Sequence, residues 1–140
     1  MTLQEYLDKY YTKEEQYNLT KLYCSYNKIT SLKGIENLTK LEYLNCRYNN
    51  LTSLKGIENL TNLTELRCSY NNITSLKGIE NLINLTKLDC FYNKITDLKH
   101  IYRLDKLEKL YTDIKYKSIE EERTKQLLLR RYEILKKFIK

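Results

Sequence analysis

The amino-acid sequence predicts a solenoid of stacked coils closed by helices at both ends, and three observations predict it. The segment TSLKGIENL stands unchanged at residues 30–38, 52–60 and 74–82. A fixed period of this kind, here 22 residues, is the mark of a repeat architecture in which each copy buries its apolar face against the next. On either side of the repeats, Thr2 with Glu5, Thr12 with Glu15 and Ser118 with Glu121 have the spacing of a capping box, in which the hydroxyl accepts from an orphan amide and the carboxylate reaches back to the cap residue.

Residues 1–17 are expected to form an N-terminal helical lid. Leu3, Tyr6, Leu7 and Tyr10 fall on one helical face, which would cover the open side of the first coil, because a terminal repeat has no neighbour to bury it. The repeats occupy 18–114. Aligned on the period they read LTKLYCSYNKITSLKGIEN from Leu19, LEYLNCRYNNLTSLKGIEN from Leu41, LTELRCSYNNITSLKGIEN from Leu63 and LTKLDCFYNKITDLKHIYR from Leu85. A fifth coil starts at Leu107 and Leu110 and then departs, with Thr112, Lys115 and Lys117 at the Cys, Asn and Ile positions. Residues 115–140 are expected to be a basic capping segment. Its helix, 119–138, carries an apolar stripe of Leu128, Tyr132 and Leu135 whose spacing Ile139 continues, and Glu120 to Glu122 sit in the first turn where the helix dipole favours them.

One coil alone should not fold. About seven inward side chains contribute roughly 1.5–3 kcal/mol each, against an ordering cost of about 1–2 kcal/mol for every residue of the coil. Stacking makes up the difference.

The pattern L-x-x-L-x-L-x-x-N-x-I-x-x-I/L-x-x-L/I-x-x-L is met at almost every position, and the chain resembles the leucine-rich repeat family. It is most similar to the 22-residue subclass, which includes a regulatory subunit of protein phosphatase 1, a leucine-rich spliceosomal component and bacterial internalins. The departure is Cys24, Cys46, Cys68 and Cys90 where Leu or Ile is usual. The resemblance implies an α/β fold: a right-handed leucine-rich repeat solenoid with one parallel β-sheet, a strand per coil, on a concave face that binds partners.

Each cysteine shares the inward phase of its neighbouring Leu, and the expectation is a ladder of buried thiols. A four-thiolate zinc site is geometrically poor, because strands about 4.8 Å apart cannot bring four sulfurs within about 2.3 Å of one ion. Asn27, Asn49, Asn71 and Asn93 recur where the strand turns outward, and each amide is expected to satisfy backbone groups of its own coil and its neighbour. Gly34, Gly56 and Gly78 are expected to supply a positive φ. His100, the one histidine, takes their place in the fourth coil.

Two surfaces differ in how much they vary. On the convex side Ser31, Lys33 and Glu36 recur as Ser53, Lys55, Glu58 and Ser75, Lys77, Glu80. On the strands the outward positions change: Lys21, Tyr43, Glu65, Lys87; Tyr23, Asn45, Arg67, Asp89; Ser25, Arg47, Ser69, Phe91. Variation confined to one face points to a partner, and Tyr, Phe and Arg are the residues that interfaces concentrate at their centres. The row Tyr26, Tyr48, Tyr70 and Tyr92 is either a stacking rib of the scaffold or an aromatic shelf for a ligand.

The formal charge is +7, and much of it lies in the last segment. Arg130, Arg131, Lys136 and Lys137 are candidate phosphate contacts, which makes nucleic acid the alternative partner. Self-association through Leu128 and Leu135 gives a monomer or weak homodimer. No metal or cofactor is expected. With one His, no Gly-rich phosphate loop and no nucleophile paired with a base, the leading expectation is a non-enzymatic module that binds a protein.

The absence of Ala, Val, Pro and Trp beside many Asn, Lys, Ile and Tyr suits an AT-rich coding genome. The opening MTLQEYLDKYY lacks the basic and then apolar run of a signal peptide, and no stretch reaches the length of a membrane span. The expectation is a soluble intracellular protein, cytoplasmic or nuclear, in its own cell or in a host cell infected by a virus.

Overall fold

The computed structural model describes residues 1–114 of the 140. Two helices, α1 (Leu3–Tyr10) and α2 (Lys13–Asn18), precede five strands: β1 (Lys21–Tyr23), β2 (Tyr43–Asn45), β3 (Glu65–Arg67), β4 (Lys87–Asp89) and β5 (Lys109–Tyr111). The strands form one parallel sheet in chain order. Their register follows the sequence period, with Leu22, Leu44, Leu66, Leu88 and Leu110 side by side.

The strands are short because only the central Leu of each points into the core, while its two flanks turn away. Leu22, Leu44, Leu66 and Leu88 are fully buried. Between strands the chain returns through 3-10 turns at Ile35–Asn37, Ile57–Asn59, Ile79–Asn81 and Lys99–Ile101. The apolar residues of strands and turns join in one cluster running along the stack.

The glycines open the first three turns with φ of 102°, 100° and 99°, a conformation that side chains resist. At Gly78 a Cβ would also lie 3.0 Å from the Glu58 side chain. In the fourth coil the turn is built differently. His100 lies inside it, with Leu98 as the residue ahead, and Nδ1 of His100 sits 3.3 Å from the Glu80 carboxylate.

The asparagines tie coil to coil. Asn71 donates through Nδ2 to the carbonyls of Cys46 at 3.0 Å and Cys68 at 3.1 Å, while its Oδ1 accepts from the Leu51 amide at 2.9 Å. Asn49 does the same one coil earlier, bonding the Cys24 and Cys46 carbonyls and the Ile29 amide. Asn93 repeats the pattern on Cys68, Cys90 and Ile73. Each amide therefore satisfies backbone groups of two coils at once, in surroundings where an unpartnered group is expensive.

The four cysteines are free and buried. Burial pushes the thiols of Cys24 and Cys90 up to about 12 and those of Cys46 and Cys68 well above the ordinary range, so they pack as small apolar residues.

At the N-terminal end both capping boxes form, with Thr2 and Thr12 accepting from the amides of Glu5 and Glu15. Leu3 and Leu7 are fully buried against the first coil, and the Leu3 and Gln4 amides donate to the carbonyls of Ser31 and Lys33. Tyr10 shares the face of Tyr6, with ring centroids 4.8 Å apart, but α1 ends there and Tyr10 is 54% exposed rather than buried. The residue that closes this end is Gln16, buried and bonded to Asp8 and to the Tyr11 carbonyl. The helix expected over 119–138 lies outside the described residues.

Candidate functional site

The outer face of the sheet carries two side chains from every strand and one from the residue two places past each strand. They form a patchwork of paired groups. Tyr23 and Tyr43 pack with ring centroids 5.0 Å apart, and the Arg67 guanidinium lies 5.7 Å from the Tyr43 ring. Arg67 and Lys87 both reach the carboxylate of Glu65, Lys87 at 3.2 Å. Burial pushes the Glu65 carboxyl up, but the bonds from Arg67 and then Lys87 outweigh it and hold it below its usual value.

Arg67 and Lys87 also line an open cleft of about 390 Å³. Arg47, Arg67 and Lys87 bring positive charge to it, and Asp89 and Ser69 also line it, Asp89 as the register neighbour of Arg67. Its aromatic lining is Tyr70, Phe91 and Tyr111. Asp89 accepts from the Ser69 hydroxyl at 3.1 Å and from the Phe91 amide at 3.4 Å. Asn45 is buried, and its Oδ1 accepts from the backbone amide and from Nε of Arg47, each at 3.3 Å. It holds Arg47 rather than presenting itself. Lys21 and Tyr23 are exposed at the β1 edge, away from the cleft lining.

The tyrosine row resolves into a stack. Tyr26, Tyr48, Tyr70 and Tyr92 have successive centroid distances of 4.2, 4.2 and 4.5 Å and interplanar angles of 10°, 11° and 23°. All four have positive φ, between 50° and 60°, which costs a non-glycine residue energy; stacking offsets it. The rings spend their faces on each other, so the row offers a ligand mainly edges and hydroxyl groups.

Two features escape a reading of the sequence alone. Lys109 and Tyr111 continue the outer rows onto β5, although the fifth coil departs from the pattern just afterwards. The constancy of Glu36, Glu58 and Glu80 also has a structural cause: each carboxylate accepts from the amide of the glycine two residues before it, at 2.8, 2.8 and 2.7 Å. Ser31 and Ser75 likewise accept from the amides of Lys33 and Lys77. Much of the fixed pattern on the turn side is thus backbone capping, and Lys33, Lys55 and Lys77 remain as the constant row without that duty among the bonds described. Arg130, Arg131, Lys136 and Lys137 lie outside the described residues. Among the described residues no helix is long and apolar enough to cross a membrane.

A family model for leucine-rich repeats, in two-copy units, matches residues 17–59, 40–81 and 61–103. The chain belongs to the leucine-rich repeat family. Solved leucine-rich repeat structures similar to it include internalin C2 of Listeria monocytogenes, with 31% identity and a TM-score of 0.67 over 69% of this chain and 42% of that one. A second is the functional domain of InlJ from the same organism, which includes a cysteine ladder, with 40% identity and a TM-score of 0.65 over 69% of this chain and 21% of that one. A third, a leucine-rich repeat protein of Leptospira interrogans, shows 30% identity and a TM-score of 0.68 over 79% of this chain and 36% of that one. The chain thus spans less than half the length of these leucine-rich repeat proteins. No curated protein matches it. Leucine-rich repeat folds are generally protein–protein interaction modules.

Proposed function

We propose that this chain is a non-enzymatic protein-binding module whose partner docks on the outer face of the sheet. The observation that carries the reading is the cleft itself: arginine and aromatic side chains from several coils meet around one opening, and Arg47, Arg67 and Phe91 among them differ from their counterparts in the next coil, Ser69, Asp89 and Asp113. Arg and Tyr are the side chains most often found at energetic centres of interfaces.

Five strands about 4.8 Å apart give a sheet only some 19 Å across. A flat partner would bury less than the roughly 800 Å² per side of a typical stable complex, so binding of moderate strength, or insertion of a loop or helix, is expected. The test is capture from a native lysate by the wild type beside a variant with Tyr23, Tyr43, Arg47, Arg67 and Phe91 all changed to Ala, with nuclease present. Proteins retained by the wild type and lost by the variant support the reading. Equal capture by both sinks it.

A further inference from the structure

We infer that the cleft takes an acidic segment of a protein partner, in which a carboxylate lies about three residues from an aromatic or large aliphatic side chain. The inference rests on the sheet-face reading above and gives that partner its chemistry.

The charge balance of the cleft is uneven. Arg67 and Lys87 share the single carboxylate of Glu65, and Asp89 is held by a hydroxyl and an amide rather than by a cation at ion-pair distance. Arg47 is partly buried, and the one side-chain contact described for it is the neutral Oδ1 of Asn45, which accepts from Nε. It has no acidic partner among the described residues. Three cations and one anion, Asp89, therefore line the cleft, with the shared Glu65 carboxylate beside them, Lys21 and Lys109 at the ends of the same rows and Asp113 at one end.

A guanidinium held by a neighbour through Nε keeps its remaining donors for a ligand. Their planar fork matches a carboxylate, which can take two parallel bonds. The site is partly shielded from solvent, where such a bond is worth more than at an open surface. Basic segments would meet the unbalanced charge directly and be repelled. A run of phosphates would have to pass Glu65 and Asp89, so the cleft favours a single carboxylate over a nucleic-acid backbone.

The apolar half of the ligand follows from position. Phe91 occupies in the fourth coil the place that Arg47 occupies in the second, two strand spacings away, or about 10 Å. An extended chain rises about 3.3 Å per residue, so a carboxylate on Arg47 and a ring beside Phe91 are about three residues apart. Phe91 packs edge-on against Tyr92 at 4.7 Å, and Tyr111, 49% exposed, closes the far side.

The experiment is selection of a random peptide library displayed on phage against the full chain, followed by synthesis of the selected peptides and titration by fluorescence anisotropy. Peptides with Asp or Glu two to four residues from Phe, Tyr, Trp or Leu are expected. Their affinity should fall about tenfold or more with Arg47→Glu, as for loss of a charged contact at an interface. It should fall less with Arg47→Gln and Phe91→Ala, and stay unchanged when Arg130, Arg131, Lys136 and Lys137 are all changed to Gln. Denaturation midpoints matched to the wild type establish that the variants are folded.

Loss of binding in the Gln-substituted tail variant overturns the inference, as does selection of peptides without acids, or an empty selection. Acid-free peptides that nonetheless depend on Phe91 overturn the acidic ligand while leaving the sheet face as the docking surface. Peptides indifferent to both Arg47 and Phe91 remove both readings. Binding of a fluorescent oligodeoxythymidine that disappears with Arg47→Glu assigns the cleft to nucleic acid instead.

Discussion

Two ladders run side by side along this molecule, one residue apart in sequence. Asn49, Asn71 and Asn93 are enclosed by backbone and fully bonded to it, whereas Tyr48, Tyr70 and Tyr92 stack along the outside at the edge of the sheet. Both rows are invariant across the coils, but for different physical reasons. The asparagine is fixed by hydrogen-bond satisfaction, since only a short amide carries donor and acceptor to the same place. The tyrosine is fixed by a compromise in which an unfavourable left-handed backbone is offset by stacking on the neighbouring ring or rings. Invariance in a repeat is therefore not one signal, and the two kinds respond differently to change.

The largest effect should come from the enclosed ladder. Asn71→Ala leaves three carbonyls and the Leu51 amide without that partner, and at about 1–3 kcal/mol for each buried unsatisfied group the loss should reach about 3 kcal/mol or more. Urea denaturation reads it directly; a midpoint unchanged from wild type would mean that water replaces the amide at no cost.

A smaller and differently ordered effect is expected in the stack. Tyr48→Ala gives up two ring contacts of about 0.5–1.5 kcal/mol each and keeps the strained backbone. Tyr48→Gly gives up the same contacts but adopts the left-handed conformation freely, recovering about 1 kcal/mol. The expected order of stability is Tyr, Gly, Ala, the reverse of the usual Gly and Ala ranking, and thermal melts of the three proteins test it. If Ala is the more stable substitute, strain is not part of the balance.

The smallest effect belongs to a third arrangement, polar like the first ladder but exposed like the second. Asp8 accepts from Lys13, Gln16 and Gln4, and these bonds hold its carboxyl at about 2, below its ordinary 3.8. Its contribution is present above the ordinary value and is lost as pH falls from there towards about 2. The protection of α1 amides, taken as exchange relative to an unfolded peptide of the same sequence at the same pH, should fall over that interval in the wild type. In Asp8→Asn the fall should be smaller, leaving only the share of the capping carboxylates, such as Glu15.

Most of the architecture was legible in the sequence because identical segments at a fixed spacing leave little freedom in how coils stack, and the two N-terminal capping boxes could be placed from four residues. Tyr10 shares the predicted face, with its ring against Tyr6, but it stays exposed because helical periodicity says which face a residue shares, and not that the helix ends there, beyond the cover of the first coil. The outer face was legible as a set of varying positions. Its internal economy was not: the burial of Asn45 under Arg47, the sharing of Glu65 and the inclusion of Tyr111 all depend on contacts between coils. The contrast between a fixed and a varied side was in part misleading. Glu36, Glu58 and Glu80 are held by the amides of Gly34, Gly56 and Gly78, so their constancy records local geometry and says nothing about freedom from a partner.

Because each strand pairs with the next in one unbroken register, and the three nine-residue segments between them are identical, the chain has natural joints at which a whole coil can enter or leave. Unequal exchange between two of those segments would add or remove one period without shifting any bond inside the coils retained. Each such event would lengthen or shorten the molecule by one strand spacing, about 4.8 Å, and would bring or remove one complete set of outer positions. Length and binding surface are therefore inherited together, in whole steps.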